Sequence, residues 1–373
     1  MKFTLSWLKE HLDTDAEARV IAETLTLIGL EVESLEDRGE ALKDFIVAYV
    51  VSAEKHPNAD KLKLCMVETG SGIVQVVCGA PNAHTGMKGV FAPPGTVIPA
   101  SLETLKISSI RGVESRGMLC SERELLLSDE HQGIIELNTE LAPGAPAAHV
   151  LGLDDPLFDI AITPNRGDCT SVAGIARDLA AAGIGKLKSG AVSPIRGAFA
   201  SPLKISLNFP KGAENACPIF AGRLIRNAQN GPSPPWLQAR LRAIGLRPIS
   251  ALVDVTNFIA NDRGRPLHVF DADKLGGNMQ ARFAHDGEIV KALDGRAYDL
   301  DAQTIVIADD KRALSIAGIM GGEETGCTEE TRNVFVESAW FDPQRIAASG
   351  RRLGIQSDAR YRFERGTDPA FVV

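Results

Sequence analysis

The residues best suited to chemistry stand in costly or unusual settings. Glu337 interrupts the apolar run VFVESAWF at 334–341, where a carboxylate is expensive to bury unless it is hydrogen-bonded or paired. His268 follows Pro266 and Leu267 in a strand-like run, GRPLHVFDADKL at 264–275, and an imidazole changes protonation near neutral pH. Gly318, Gly321 and Gly322 lie in SIAGIMGG at 315–322 and would let backbone approach a ligand closely. A second constellation is cationic. Lys55, His56, Lys61, Lys63 and Lys88 recur between short β-like runs and would meet phosphates, with Arg111, Arg116 and Arg123 as a second cluster. A third feature is the turn TPNRGDC at 163–169, with Asp168 leading into a helix. Free backbone N–H groups there would suit an anion, although a capped turn packing two elements is the simpler reading. His56, His84, His131 and Cys120 lack any paired short spacing, and the six cysteines form no CxxC pair, so no metal site is expected.

The elements that must position these residues follow from the pattern. Asp15 would cap a helix with an apolar stripe of Val20, Ile21, Leu25 and Ile28, stopped by Gly29. From Phe45 the runs FIVAYVVSAE, KLKLCMVETG, IVQVVCG and MKGVFAPPG, separated by Pro, Gly and Asn, predict a small barrel. Asp168 or Thr170 would open a second helix reaching Leu179 and Ala182. The stretch at 186–202 is poor in apolar residues and predicts a flexible boundary near residue 200. Beyond it strands and helices alternate: Ser233-Pro234 as cap and first-turn proline, Gly245 as stop, a hairpin turned at Asp286-Gly287, and a helix opened by Asp342-Pro343. This order predicts an α+β domain with a mainly antiparallel sheet.

Composition narrows the function classes. The chain of 373 residues carries 40 Lys and Arg against 48 Asp and Glu, a net charge of −8, so a protein that coats nucleic acid is excluded and any RNA contact must be a local patch. Residues 1–40 hold 4 basic and 10 acidic side chains, whereas five arginines crowd Arg351 to Arg365. The first residues meet charge before an apolar run can build, which argues against a signal peptide. No window reaches the roughly 18 apolar residues of a membrane helix. A cytoplasmic protein with reduced thiols and no membrane association is expected.

The wording of the motifs goes further. HPNADKL, VVCGAPN and RGVESRGMLCS, in this order and spacing, resemble the tRNA-binding domain shared by several synthetases. The flanking pieces SWLKEHLD…IGLEVES and FDIAITPNRGDCTSVAGIARDLAA, together with five motifs between 245 and 368, resemble the N-terminal half of the bacterial phenylalanyl-tRNA synthetase β subunit. The resemblance implies a multidomain α+β chain in which an oligonucleotide-binding β-barrel at 39–152 is inserted into a small α+β domain formed by 1–38 and 153–195. An editing domain follows at 201–373, cut short at its end. It implies tRNA contacts at Lys55, His56, Lys61, Lys63, Arg111 and Arg116, and hydrolysis of tyrosine wrongly attached to the phenylalanine tRNA. A phenylalanine pocket rejects an added hydroxyl by only about a hundredfold, so a second hydrolytic site is needed.

In that site the resemblance gives Glu337 the tyrosine hydroxyl and His268 the ester end. Arg247, Thr256 and Asn257 would line the mouth, and Gly318, Gly321, Ser357 and Ala359 would bound the amino-acid pocket. Glu337 would lie at the closed end, a tyrosine's length from His268. Arg360 follows Ala359 where the family commonly has a small polar residue. No nucleophile is evident, so attack by a positioned water is expected. The chain stops just past these motifs, which implies an N-terminal portion that needs no cofactor of its own. The whole enzyme, an α2β2 assembly with an α subunit carrying the synthetic site, would use ATP and magnesium. A tRNA-binding module without activity, and a free-standing deacylase, are the other readings the residues admit.

Overall fold

The computed structural model describes residues 1–128, 130–188, 190 and 194–373, without the side chain of Arg38. Residues 189 and 191–193 of the expected linker lie outside the described residues. The chain forms two compact units, Glu36–Pro156 and the combination of Met1–Leu35 with Leu157–Val373. It is a multidomain α+β protein. No described helix is long and apolar enough to cross a membrane.

The first unit to consider is the barrel. Its five strands run in the order Met118–Leu119, Lys88–Ala92, Ile46–Lys55, Lys63–Glu68, Ile73–Cys78, and each pair is antiparallel. The two edge strands are drawn together just before Met118: Arg116 N–H donates to Gln75 O at 2.8 Å, and Val77 N–H donates to Ser115 Oγ at 3.1 Å. The sheet is therefore a nearly closed barrel: Val50, Cys65, Val67, Val76 and Phe91 pack in one core, while Val47 and Val90, on the other face, pack with Phe45, Ile98 and Cys120.

In the other unit, the start of the chain and the segment after 157 share one core. Strand Lys2–Thr4 pairs antiparallel with Leu157–Ile160. Phe3, Trp7, Leu8, Ile21 and Leu25 pack with Phe158, Ile160, Val172, Ile175 and Leu179. The helix expected after Asp15 is capped differently: Ala18–Leu27 follows Glu17 without a side-chain cap, while Thr14 Oγ1 accepts from Ala16 N–H. Gly29, at φ +89°, ends it as the pattern requires. Helix Val172–Ala181 is capped by Ser171, whose Oγ accepts from Gly174 N–H at 3.0 Å, rather than by Asp168 or Thr170. Residues well beyond 200 also reach this core. Ile244 is buried in it, and Phe258, on helix Ala251–Arg263, stacks on Trp7 at 5.3 Å.

Among the described residues, the rest of this unit holds two larger sheets and a two-stranded hairpin. One has the order Ile205–Asn208, Met279–Phe283, Ile305–Ala308, Ala313–Ile316, Met320–Gly321, with one parallel pair at Ile205–Asn208 and the remainder antiparallel. The other is antiparallel, with Val334–Trp340 between Ile219–Ile225 and His268–Asp271. Helix Pro343–Leu353 opens on Asp342, whose carboxylate accepts from Arg345 N–H at 2.9 Å. Two readings shift by local chemistry. The helix expected after Ser233 starts one residue later, at Pro235, because the Ser233 hydroxyl is spent on buried Asp254. The hairpin turns at Asp294-Gly295, joining Glu288–Lys291 to Ala297–Leu300. Asp286-Gly287 instead links strands of different sheets, since Asp-Gly specifies a turn but not which strands it joins.

Candidate functional site

Strand register decides the first feature. His268 lies directly opposite Glu337 in the antiparallel pair, so both side chains project from the same face with Cβ atoms about 5 Å apart. The two Cβ positions are thus closer than the tyrosine's length expected from chemistry alone, and any such separation between imidazole and carboxyl comes from side chains that diverge within the cavity. His268 and Glu337 line one cavity of about 250 Å³ with Gly318, Gly321, Ser357 and Ala359. Ser315, Met320, Leu293 and Phe363 complete most of its wall.

Two buried polar atoms in this wall, His268 Nε2 and Glu337 Oε2, have no partner among the described residues. Burial pushes the Glu337 carboxyl up to about 8 and holds the His268 imidazole down at about 4. Both are therefore mainly neutral near pH 7, and Glu337 is an acid able to donate as well as accept. The charged carboxylate read from sequence is corrected by desolvation, which disfavours the charged form of each group.

The glycines have distinct reasons. A Cβ at Gly321 would stand 2.2 Å from His268 Cε1, so the imidazole occupies the space its missing side chain leaves. Phe270 holds the ring edge-on at 4.4 Å. Gly318 has φ +66°, and a Cβ there would press on Phe341, Ile346 and Phe363 at 3.0–3.1 Å. Ser357 caps helix Asp358–Phe363 by accepting from Arg360 N–H and donates to Ile319 O at 2.6 Å, which ties the glycine loop to that helix. Arg360 turns away from the cavity: its Nε donates to Glu364 at 2.9 Å and Nη1 to Ile355 O at 2.5 Å.

Arg247, Thr256 and Asn257 are not part of the cavity wall. Arg247 is exposed in the loop before helix Ala251–Arg263. On that helix, Thr256 Oγ1 donates to Val253 O and Asn257 O accepts from the Asn261 amide. Their recurrence in the motif carries no information about which face of the helix they occupy. Among the crowded arginines near the end of the chain, Arg360, Arg362 and Arg365 are largely buried, and Arg362 donates to Thr170 O and Asn261 Oδ1.

The barrel's cations separate into two kinds. His56 is buried, its Nδ1 accepting from Asn58 N–H at 3.0 Å while Nε2 donates to Ile110 O at 3.2 Å, so it locks a turn instead of facing solvent. Lys63 donates to Pro81 O and Ala83 O, and Lys88 to Thr139 O and Leu141 O. Lys55 pairs with Asp60 at 2.6 Å, and Arg116 with Glu114 at 2.6 Å. Lys61, Arg111 and Arg123 are exposed. Lys61→Ala is expected to weaken tRNA binding and lower its salt slope by up to about one. Lys63→Ala should leave the slope unchanged, because its ammonium is held on carbonyls. Titrations with phenylalanine tRNA between 50 and 200 mM salt, the range where such slopes show, separate the two. An equal slope change for both would refute the division.

One group of described residues has metal-ligand geometry, Asp168, Cys169 and Asp178. Arg166 and Arg177 already bridge both carboxylates, and the nearby guanidinium of Arg166 is the leading cause of a lowered Asp168 pKa. The cluster is an ion-pair network that fastens the TPNRGDC turn, and it does not fit magnesium, which keeps octahedral oxygen ligands.

Residues 45–146 match the family model of a tRNA binding domain, and residues 216–373 match that of the B3/4 domain. The class is thus a chain that joins a tRNA-binding barrel to a B3/4 domain. The phenylalanine–tRNA ligase beta subunit of Bradyrhizobium diazoefficiens is 58% identical over 375 residues, covering 100% of this chain and 46% of that one. That of Paramagnetospirillum magneticum is 57% identical over 373 residues, covering 100% and 47%. The chain belongs to the phenylalanine–tRNA ligase beta subunit family. It spans just under half the length of these curated relatives.

Proposed function

We propose that this chain gives a phenylalanine–tRNA ligase its tRNA binding and its proofreading, hydrolysing tyrosine mischarged on the phenylalanine tRNA. The observation that carries the reading is the pair His268 and Glu337, facing one cavity with an unpartnered buried polar atom each. Such atoms cost about 1–3 kcal/mol when left unsatisfied, and a tyrosyl ester offers Glu337 a partner. Its phenol pairs with Glu337, and its ester end meets a water oriented by His268. Water adds to the carbonyl carbon, the bond to the ribose oxygen breaks, and the proton released by water passes to that oxygen. Phenylalanine leaves Glu337 without a partner and is held less well.

Arg247, Thr256 and Asn257 are assigned to the RNA end outside the cavity, and the exposed Lys61, Arg111 and Arg123 to phosphates on the barrel. The barrel is read as an oligonucleotide-binding fold at 39–152, with 1–38 and 153–195 forming the domain around it and 201–373 the editing domain. The assembled cytoplasmic ligase would join phenylalanine to its tRNA with ATP and magnesium, in an α2β2 arrangement whose α subunit holds the synthetic site. The deciding experiment incubates this chain with tyrosylated and with phenylalanylated tRNA and follows ester loss. Faster loss of the tyrosyl ester is expected, and equal stability of both with and without protein overturns the reading.

A further inference from the structure

One hydroxyl in the cavity wall has no role so far. Ser315 is the single polar residue of strand Ala313–Ile316 and is 4% exposed. It lies directly opposite Gly321 in the antiparallel pair, so its side chain projects from the face on which a Gly321 Cβ would stand. That is where the imidazole sits: the Gly321 Cβ position is 2.2 Å from His268 Cε1 and 2.8 Å from His268 Nε2. Paired Cβ positions are about 5 Å apart, which puts Ser315 Oγ within reach of Nε2 in a rotamer that points at the ring. His268 Nε2 lacks a partner among the described residues, and a serine hydroxyl has three staggered positions from which to meet it.

We propose that Ser315 is a positioning residue that accepts a hydrogen bond from His268 Nε2–H and so leaves Nδ1 free to orient the hydrolytic water. The inference rests on the editing reading. Three points support it. The buried nitrogen without a partner is Nε2. Burial keeps the ring neutral near pH 7, so one nitrogen carries the proton and the other accepts, and the choice is set by what the proton-bearing nitrogen meets. Ester hydrolysis by water needs an acceptor on the side of the substrate. Phe270 and the space at Gly321 fix the plane of the ring, and Ser315 fixes its tautomer.

The test uses this chain with 15N-labelled histidine and the variants Ser315→Ala and Ser315→Thr. The expected wild-type spectrum shows His268 protonated at Nε2, and Ser315→Ala should turn that signal into a mixture of tautomers. In tyrosyl-tRNA hydrolysis, Ser315→Ala should lower kcat roughly five- to tenfold, the value of one hydrogen bond, with KM unchanged. Ser315→Thr, which keeps the hydroxyl, should restore both signals. A wild-type ring protonated at Nδ1, or a Ser315→Ala variant with unchanged tautomer, overturns the pairing. An altered tautomer with unchanged kcat overturns its part in hydrolysis. If the wild-type chain hydrolyses no tyrosyl ester, the editing reading fails, and the spectrum alone still decides the pairing.

Discussion

Ala359→Trp is expected to abolish hydrolysis of tyrosyl and phenylalanyl esters alike, to below the detection limit of a deacylation assay. Ala359 lies on helix Asp358–Phe363 and faces a cavity of about 250 Å³, which cannot hold an indole and the ring of an aromatic substrate together. The site is walled by Phe363 and by a Gly318 with no room for a Cβ, so the wall cannot retreat far in a close-packed interior. Glu337→Ala makes the informative contrast. It empties part of the same cavity, so hydrolysis should persist while the preference for tyrosine falls by about 1–3 kcal/mol, the cost of an unpaired buried polar group. Retention of full tyrosine selectivity by Glu337→Ala, or of activity by Ala359→Trp, would show that the amino acid binds elsewhere.

The second large effect is on stability against pH. Glu337 is raised from 4.5 to about 8, and His268 is lowered from 6.5 to about 4, each by burial. Between pH 4.5 and 8 the folded chain keeps a proton on Glu337 that the unfolded chain releases, so this group's contribution falls as pH rises. Between pH 4 and 6.5 the unfolded chain binds a proton on histidine that folded His268 refuses, so that contribution grows as pH rises. The two slopes oppose and nearly cancel from 4.5 to 6.5. Above 6.5 the glutamate acts alone, and as pH passes 8 the chain should lose about 2 kcal/mol relative to Glu337→Gln, at about 1.4 kcal/mol per pH unit. Urea unfolding of the chain and of Glu337→Gln at pH 6.5, 7.5 and 8.5 measures this difference. Parallel stabilities across that range would mean that Glu337 is charged in the folded chain.

Several elements were legible because local rules suffice for them. The four main barrel strands fall on runs of alternating or continuous apolar residues, and Asp342-Pro343 opens a helix as cap and first-turn proline do. Helix Ala251–Arg263 was not legible. Its sequence, ALVDVTNFIANDR, is rich in β-branched and polar residues and is held by packing on Trp7 and by Asp262, whose Oδ1 accepts from Trp7 Nε1 at 2.7 Å. Such contacts, some 250 residues apart in sequence, leave no local trace. Ser315 had a faint signal, a lone hydroxyl in a buried strand, that gains meaning only beside Gly321.

By itself, then, the sequence determined the chemistry available: a glutamate in an apolar strand, a histidine beside a proline, glycines where backbone must come close, and cations along a β-rich segment. Side-chain type and short-range spacing are local properties, and they also carry the family's motifs. Tertiary structure alone decided which of these groups work together. Register set His268 opposite Glu337 and Ser315 opposite Gly321, and carbonyls captured Lys63 and Lys88 while leaving Lys61 in solvent. It also decided charge, because desolvation depends on every atom that surrounds a group. The neutrality of Glu337 near pH 7 belongs to the folded cavity, not to the residue.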